Sequence, residues 1–355
     1  MNYSSIIKKA WNGYDSSKVI KRVEDISAMV STNHVFRITF EDEDIIIAKM
    51  STYGKYEHFK EDHRIIHSLS NNLLYPFENL VARSLLKNNR VYTYRYKWRK
   101  NDAWVVFYNP VRVNKRLPRR LEEDQIKQLG QQMAKFHKAC FRINNVLPKS
   151  SKTLGTDIRI LIERLEKQPE DFGTPEQVVM LRQHCDDFLK NRAKYNAKGS
   201  LGSIPVFLDW NIGNFSVDRH LNLYSRWDYD WFRMSSRILD FYFLSRVVSD
   251  AGDRTVFSYV IGPMMEDRFI IFLKEYHKTY PIKAEEIYFL KDAYRFFILN
   301  YVIKDGKYFF SEQYAKKLQI EALEIYLPSI ATEFDAEKLL NALEIPIPTS
   351  RLATV

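Results

Sequence analysis

The sequence has few cysteines and no long apolar run. Only Cys140 and Cys185 occur among 355 residues, which is too few for a disulfide framework or a thiolate zinc site, so we expect core thiols in a reducing compartment. There is no stretch of about 18 uncharged apolar residues, and the first residues lack a basic segment followed by an apolar one. We therefore expect neither a membrane span nor a signal peptide, and predict a cytoplasmic protein.

Histidine motifs for metal binding are also absent. The eight histidines form no His-Glu-x-x-His or His-x-His pair, so we expect no metal held by histidines. What the chain does have is apolar content, with 45% hydrophobic and 14% aromatic residues. This content excludes disorder as the default state and predicts a sizeable core in one large or two medium domains.

The positive charge is concentrated in one segment. The chain has 54 Lys and Arg against 44 Asp and Glu, a formal net charge of +10. Between Lys87 and Arg120 there are eleven basic residues and one acid, Asp102. The net charge of this basic segment therefore equals the net charge of the whole chain.

Aromatic and basic side chains alternate within the basic segment. Tyr92, Tyr94, Tyr96 and Trp98 alternate with Thr93, Arg95, Lys97 and Arg99. Because side chains on a strand point alternately to opposite faces, the pattern predicts an aromatic face and a cationic face. Two interpretations stay open: a half-buried strand with a solvated outer face, or a surface at Arg95, Lys97 and Arg99 that binds an anionic polymer or a membrane surface.

The N-terminal part predicts a small α+β lobe. The expected elements are strands at 28–39 and 44–50, a helix at 56–73, and strands at 90–99 and 103–109. The acidic turn at 41–44 joins the first two strands into a hairpin. Phe59, Ile65 and Leu69 give the helix its apolar face.

The rest of the chain predicts a mainly helical lobe. Pro110 and Pro118 interrupt the pattern before a strongly helical segment at 122–140. Three short strand-like runs follow at 203–207, 215–217 and 223–227. We divide the chain into an N-terminal lobe at 1–109, a helical lobe at 110–345 and a loose tail at 346–355, an α+β fold with a β-rich first lobe.

Three polar residues beside the strand-like runs are the candidates for a catalytic and metal-binding site. Asp209 and Asn214 lie in the loop after the first run, and Asp228 follows the third run. Phosphoryl transfer needs such a set, in which one carboxylate accepts or orients the substrate hydroxyl while an amide and a second carboxylate hold Mg²⁺ against nucleotide phosphates. The order and spacing therefore favour a phosphotransferase site.

This pattern resembles the aminoglycoside phosphotransferase and choline kinase group, relatives of protein kinases. Their catalytic loop His-Gly-Asp-x-x-x-x-Asn matches Phe207-Leu208-Asp209 through Asn214, and their Ile-Asp-Trp-Glu matches Trp227-Asp228-Tyr229-Asp230. The resemblance implies a protein-kinase-like bilobal fold, with Asp209 as the catalytic base, Asn214 and Asp228 as Mg²⁺ ligands, and Asp240 as a structural cap.

The resemblance extends upstream, roughly from Ala28. Ser31 and Asn33 lie in the segment similar to the phosphate-covering hairpin, and Lys49 matches the strand lysine that binds the α- and β-phosphates of ATP. Phe107 and Tyr108 correspond to the hinge that receives the adenine.

An acid on the helix at 56–73 is expected to pair with Lys49. Glu57, Glu61 and Asp62 are the candidates. We favour Glu61, with Asp62 next because its spacing to the apolar face of the helix fits the family.

The chain departs from the family pattern at Phe207, where the family has a histidine, and in the absence of glycine from the phosphate-covering segment. The family histidine has a scaffold role, so its loss removes no reacting group. The N–H groups of the backbone and the side chains of Ser31 or Asn33 can still donate to phosphate oxygens.

The acceptor is not identified by the sequence. The segment at 252–330 has eleven acids and eleven bases, which weakens an assignment to polycationic aminoglycosides. Two hypotheses remain: an ATP-dependent kinase acting on a hydroxyl of a small molecule or a sugar, and a catalytically silent kinase-like module that binds a polyanion through the basic segment. The oligomeric state is left open.

Overall fold

The computed structural model describes residues 2–27, 33–99, 101–197, 199, 201–251 and 258–347. Ser31, the start of the strand expected at 28–39, and most of the tail expected at 346–355 lie outside the described residues. What the sequence predicts for those positions stays a prediction.

A five-stranded antiparallel sheet forms the small lobe, with the strand order β1-β2-β3-β7-β6. Its elements are α1 (Tyr3–Tyr14), β1 (Ile20–Asp25), β2 (His34–Phe40), β3 (Ile45–Ser51), α2 (Tyr56–Asn72), β4 (Leu86–Lys87), β5 (Arg90–Val91), β6 (Thr93–Trp98) and β7 (Asn101–Tyr108). The predicted hairpin at 41–44 and the predicted helix at 56–73 are both confirmed.

The sequence interpretation missed α1 and β1. In α1 the buried residues Ile6, Ile7, Ala10 and Trp11 follow a helical period, which is the signal that should have predicted it. The side chain of Asn2 accepts a hydrogen bond from the Ser5 N–H at 3.1 Å and caps the helix. The first lobe therefore has an additional helix and an additional edge strand.

Tyr92, which precedes β6, and the two tyrosines of β6 face α1. Tyr92, Tyr94 and Tyr96 pack against the apolar cluster between α1 and the sheet, whereas Arg95 and Lys97 are exposed. This confirms the predicted alternation. Trp98 departs from it, because its side chain is 59% exposed.

The large lobe is mainly helical. Its elements are α3 (Glu123–Arg142), α4 (Leu154–Lys167), α5 (Pro175–Ala197), β8 (Ile204–Val206), β9 (Phe215–Val217), β10 (Leu223–Arg226), β11 (Arg233–Ser235), α6 (Phe241–Val248), α7 (Asp267–Thr279), α8 (Ala284–Phe297), α9 (Glu312–Glu321), α10 (Leu327–Thr332) and α11 (Ala336–Ala342). A π-helical segment, Ile298–Lys304, continues α8. Two short antiparallel pairs, β8 with β11 and β9 with β10, stand among the helices.

Two apolar cores hold the molecule together. The smaller lies between α1 and one face of the sheet, and the larger runs from α2 and the other face of the sheet through the helical lobe. Cys140 and Cys185 are free and buried, as expected. Within the described ranges, no helix combines the length and the apolar character needed to span a membrane.

Candidate active site

The loop after β8 is held by a buried carboxylate. Asp240 Oδ1 accepts hydrogen bonds from the backbone N–H groups of Phe207 at 3.0 Å and Leu208 at 2.7 Å. Its other oxygen lies 3.0 Å from His137 Nε2, and both side chains are fully buried. Leu208 has a φ of 58°, an unusual conformation for a leucine. Asp240 therefore holds this loop in a strained shape that presents the next residue, Asp209.

Asp209 lies at the edge of the cleft, half-buried. Its Oδ1 atom accepts hydrogen bonds from the backbone N–H of Asn211 at 3.4 Å and from the side-chain amide of Asn211. The Asn211 amide oxygen in turn lies 3.5 Å from Arg246 Nη1. The carboxylate is thus oriented by its own loop.

Arg226 links the loop of Asp209 and Asn214 to the strand that leads to Asp228. Its Nη2 atom donates to the carbonyl of Asp209 at 3.1 Å, and Nη1 to the carbonyl of Asn214 at 3.5 Å. The side chain is completely buried, and its guanidinium carbon lies 4.5 Å from the ring centroids of both Phe207 and Trp210. Burial lowers the pKa of Arg226, while Asp209 acts in the opposite direction.

Phe207 packs where the family has its histidine. Its ring is fully buried and lies 5.4 Å from Phe232 and 5.7 Å from Tyr229, centroid to centroid. An apolar ring suits this pocket because the neighbouring Arg226 already makes the polar contacts to the loop. Phe207 is therefore part of the apolar packing around Arg226.

Lys49 reaches across the cleft to two carboxylates. Its Nζ atom lies 2.6 Å from Asp228 Oδ1 and 2.8 Å from Asp230 Oδ1. The lysine side chain is 7% exposed, and Asp228 is 36% exposed. The loop carrying the two acids is fixed nearby, since the Trp227 N–H donates to the carbonyl of Asn214 at 3.0 Å. Lys49, Asn214 and Asp228 are thus brought together, and Asp230 is a site residue that the sequence interpretation did not assign.

The carboxylates of Asp228 and Asp230 differ in their pKa. Burial acts to raise both, but Lys49 holds the pKa of Asp228 below its usual value. Burial, together with the nearby charge of Asp228, raises the pKa of Asp230 to about 6 although Lys49 opposes the shift. The pKa of Lys49 itself is raised: burial acts to lower it, and the two carboxylates outweigh that effect.

Asn33 contacts this cluster from the small lobe. Its amide Nδ2 donates to Asp230 Oδ2 at 2.7 Å, and its Oδ1 accepts from the Ser51 hydroxyl at 3.2 Å. The side chain is buried. Of the two residues predicted for the phosphate-covering segment, Asn33 therefore lies at the site, and Ser31 is outside the described residues.

The expected pairing of Lys49 with an acid on α2 is not formed. Glu61 instead accepts hydrogen bonds from the Ser151 N–H at 2.6 Å and from the Ser150 hydroxyl at 2.9 Å. Asp62 Oδ2 lies 2.5 Å from Lys152 Nζ. Both acids point from α2 toward the segment that precedes α4. The prediction for Glu61 was wrong because Asp228 and Asp230 already satisfy Lys49.

The two predicted hinge residues point to opposite faces of the sheet. Lys49 is opposite Val106, and Ala48 is opposite Phe107, so the Phe107 side chain lies on the face covered by α1, with its ring 5.2 Å from that of Trp11. The Phe107 side chain is therefore unable to contact a nucleotide beside Lys49, and the Phe107 carbonyl accepts a hydrogen bond from the Leu85 N–H at 2.8 Å. The predicted contact of Phe107 with the adenine is therefore wrong. Tyr108 lies on the Lys49 face, with its hydroxyl 2.5 Å from His63 Nε2.

The donor set suits a hard dication. Within the described residues there is no cluster of three or more Asp, Glu, His or Cys side chains that could hold a metal by itself. Mg²⁺ needs no such cluster, because it is usually bound through one or two carboxylates, waters and substrate phosphates. Between Asp228 and Asp230 the structure places a cation, the Lys49 ammonium. Two carboxylates and the Asn214 amide fit Mg²⁺ by chemistry and by charge.

The cationic face of β6 is partly neutralised. Arg95 Nε donates to Asp102 Oδ1 at 2.9 Å and Nη2 to Oδ2 at 2.5 Å, and its guanidinium lies over the ring of Tyr56. Lys97 and Arg99 remain exposed. The single acid of the basic segment therefore binds the first of the three cations proposed to hold a polymer.

Comparisons with known proteins identify the fold. No family model matches the chain, and no curated protein sequence does. Among solved structures, an amicoumacin kinase in complex with AMP-PNP, Ca²⁺ and Ami is similar with a TM-score of 0.65 and 14% identity, covering 96% of this chain and 97% of that one. A microcompartment-associated aminopropanol kinase gives 0.60 and 15%, covering 97% and 99%.

A choline kinase from Streptococcus pneumoniae is also similar, with a TM-score of 0.55 and 12% identity, covering 94% of this chain and 100% of that one. A streptomycin and ATP complex of an aminoglycoside phosphotransferase gives 0.54 and 16%, covering 93% and 99%. The predicted protein-kinase-like bilobal α+β fold is confirmed. The similar structures come from the group that the sequence motifs resemble.

Proposed function

We propose that this chain is an ATP-dependent phosphotransferase that uses Mg²⁺ and transfers the γ-phosphoryl group of ATP to a hydroxyl of a small molecule or a sugar. One observation carries the proposal. Lys49 of the small lobe and the carboxylates of Asp228 and Asp230 meet across the cleft at 2.6 and 2.8 Å. Asp209 and Asn214 are tied by Arg226 to the strand that leads to Asp228.

The role proposed for each residue follows from its position in the cleft. Lys49 binds the α- and β-phosphates, and Asn214, Asp228 and Asp230 supply oxygen ligands for Mg²⁺. Bound Mg²⁺ would neutralise charge that develops on the phosphate oxygens. Binding of ATP and metal requires Lys49 to leave the carboxylates for the phosphates, which leaves Asp228 and Asp230 to the dication. Tyr108, which lies on the same face of the sheet as Lys49, is the hinge residue placed beside the adenine.

Asp209 acts as the general base. Its carboxylate, oriented by Asn211, accepts the proton of the acceptor hydroxyl as the oxygen bonds to the γ-phosphorus and the bond to the β-phosphate oxygen breaks. ADP leaves with the bridging oxygen, and the acceptor leaves as a phosphate ester. The Asp240 cap maintains the loop that presents this carboxylate.

The acceptor is proposed to be uncharged or of mixed charge rather than a polycation. A cavity of about 280 Å³ adjoins Asp230. Its basic side chains include Lys152, Arg233 and Lys304, and each of them pairs with a carboxylate of the same cavity. This lining has no acidic excess to attract several amines.

ADP release measures the proposed activity directly. The purified protein is incubated with ATP and Mg²⁺ against a library of hydroxylated metabolites, and the parent is compared with Asp209→Asn. We expect acceptor-dependent ADP release from the parent and none from the variant. If the library yields no acceptor-dependent ADP release although ATP and Mg²⁺ bind, the silent binding module becomes the better explanation.

Binding of an anionic polymer is the weaker candidate. No contact in the described chain favours it, and Asp102 holds Arg95 in a two-point ion pair. Its test is the replacement of Arg95, Lys97 and Arg99 by Gln. If a polymer binds there, the variant should show weaker binding to single-stranded RNA and a flatter salt dependence.

A further inference from the structure

A second cavity, of about 540 Å³, opens in the large lobe between the start of α4, α5 and the β8 and β11 pair. It shares Lys152 with the cavity beside Asp230 and contains none of the residues assigned to phosphoryl transfer. Its described lining has three basic side chains, Lys149, Lys152 and Arg192, and no carboxylate. This charge composition differs from that of the cavity beside Asp230, where Lys152, Arg233 and Lys304 face acids.

The charges of Arg192 and Lys149 are not neutralised within the described residues. Lys152 pairs with Asp62, whereas neither Arg192 nor Lys149 has an ion-pair partner among them. Burial and the charge of Arg159 lower the pKa of Arg192. Arg192 is half-buried and Arg159 is exposed, so the loss of hydration falls on Arg192, and a bound anion would compensate its charge.

Gly155 lets the two guanidinium groups approach each other. A β-carbon at this position would lie 3.1 Å from Arg192 Nη1 and 3.5 Å from Arg159 Nη1. Two cations therefore share the space beside one backbone atom of α4. Among the residues that the structure describes, neither Arg159 nor Arg192 forms an ion pair with an acid.

The remaining lining indicates the kind of ligand. Hydroxyl and amide groups, including Thr153, Ser203 and Asn196, stand beside the cations, and a set of apolar side chains completes the wall. The N-terminal end of α4 begins at this wall, with Thr153 as its capping residue, so the positive end of the helix dipole adds to the field. A volume of this size suits one small molecule rather than a polymer.

We propose that this cavity binds a small molecule that carries a phosphate group, with Arg192 and Lys149 as its direct charged contacts. Arg192 supplies the planar donor pair that matches phosphate oxygens, and Lys149 supplies a mobile charge at the rim. The apolar wall contacts the rest of the ligand. The proposal is independent of the kinase activity, because it uses none of the residues of the cleft.

Inorganic pyrophosphate is the probe, titrated into the full chain in Mg²⁺-free buffer and followed by isothermal titration calorimetry. The test variant carries Lys149→Gln with Arg192→Gln. Its matched control is Lys190→Gln with Lys194→Gln, which removes two charges from exposed positions of α5 outside the cavity. We expect the test variant to bind about tenfold more weakly and the control to bind like the parent.

Two further variants separate the alternatives. Arg192→Lys keeps the positive charge, so it should bind pyrophosphate more tightly than the double variant. Misfolding of the double variant would not predict that affinity depends on the charge at position 192. Lys49→Met removes the phosphate contact of the cleft, so any binding at the cleft should be lost while the affinity of the cavity at Arg192 and Lys149 stays that of the parent. Equal affinity in the double variant and the parent, loss of binding in Lys49→Met, or no binding at millimolar pyrophosphate would each overturn the proposal.

Discussion

Arg226 Nη2 donates a hydrogen bond to the backbone carbonyl of Asp209 at 3.1 Å. A fully buried cation from β10 thus supports the loop that carries the proposed base, and the same side chain reaches the carbonyl of Asn214. The ring of Phe207 packs against this guanidinium. The loop that presents Asp209 is therefore supported by an arginine and a phenylalanine from the large lobe.

Arg226→Lys tests this support. A lysine keeps the charge, but its single ammonium cannot bond both carbonyls, so the loop at 207–214 should open more often. We expect amide hydrogen exchange in this loop to become about tenfold faster and the free energy of unfolding to fall by about 1–3 kcal/mol. Arg182→Lys, an exposed ion-paired arginine on α5, is the control. Unchanged exchange in Arg226→Lys would contradict the assigned role.

Phe207→His restores the residue of the family motif. The imidazole would lie buried beside a guanidinium, which disfavours its protonation and leaves its ring nitrogens without described partners. We expect the free energy of unfolding to fall by about 1–3 kcal/mol, with no gain in turnover. Thermal and urea unfolding measure it, and Phe207→Tyr separates the effect of polarity from that of ring shape. A variant as stable as the parent, or more active, would show that the histidine is compatible with this packing.

Lys49→Met should remove most of the rise in melting temperature that ATP with Mg²⁺ causes in the parent. A ligand that binds only the folded state stabilises it by mass action, by about 2.7 kcal/mol at a concentration of 100 times Kd. Differential scanning fluorimetry compares the shift with that of Lys60→Met, an exposed lysine on α2. The variant itself should melt lower than the parent, because Asp228 and Asp230 lose their buried partner. A full nucleotide shift in Lys49→Met would argue against the phosphate site.

Asp209→Asn and Asp228→Ala should differ in what they lose. A base acts in the chemical step and typically contributes about 10²–10⁴-fold to the rate, so Asp209→Asn should lose turnover while nucleotide binding survives. A metal ligand also holds the ground-state complex, so Asp228→Ala should lose the Mg²⁺ dependence of nucleotide binding as well. Nucleotide titrations with and without Mg²⁺ measure the difference. An equal loss of binding in both variants would refute this division of roles.

Asp62 should make stability depend on pH between about 4 and 6. Burial raises its pKa from 3.8 to about 6, although Lys152 and Arg233 oppose the shift. The folded state therefore binds this proton more tightly than the unfolded state, so the contribution is present below pH 4 and is lost as the pH rises through 6, by at most about 1.4 kcal/mol per pH unit.

Asp62→Asn removes this contribution. Urea unfolding at several pH values should show that the stability of the parent, taken relative to the variant, falls between pH 4 and 6. Glu61→Gln is the neighbouring control, because the pKa of Glu61 is lowered rather than raised, with the hydrogen bonds from Ser151 and Ser150 outweighing burial. A difference between parent and Asp62→Asn that is constant with pH would show that this carboxyl has an ordinary pKa.

Local features of the fold were predictable from the sequence. The period-two alternation of Tyr92, Tyr94 and Tyr96 predicted a strand with an aromatic inner face, and the apolar spacing after Tyr56 predicted α2. These patterns need only the geometry of one strand or one helix. The order of Lys49, Asp209, Asn214 and Asp228 along the chain was also readable, because Lys49 lies in a recognisable strand and the other three lie in loops that follow one. The N-terminal helix α1 was readable in the same way and was missed.

Only the tertiary structure decided which groups meet. Glu57, Glu61 and Asp62 satisfied the same sequence criterion for pairing with Lys49, yet its partners come from Asp228 and Asp230, and Asp228 is 179 residues away. The sequence also did not show that Phe107 would point away from Lys49, since this depends on which strand pairs with β3 and in which register. Nor did it show that Arg226 would bond the carbonyls of Asp209 and Asn214, or that Arg159 and Arg192 would approach over Gly155. Such contacts depend on the packing of distant elements, which periodicity along one element does not encode.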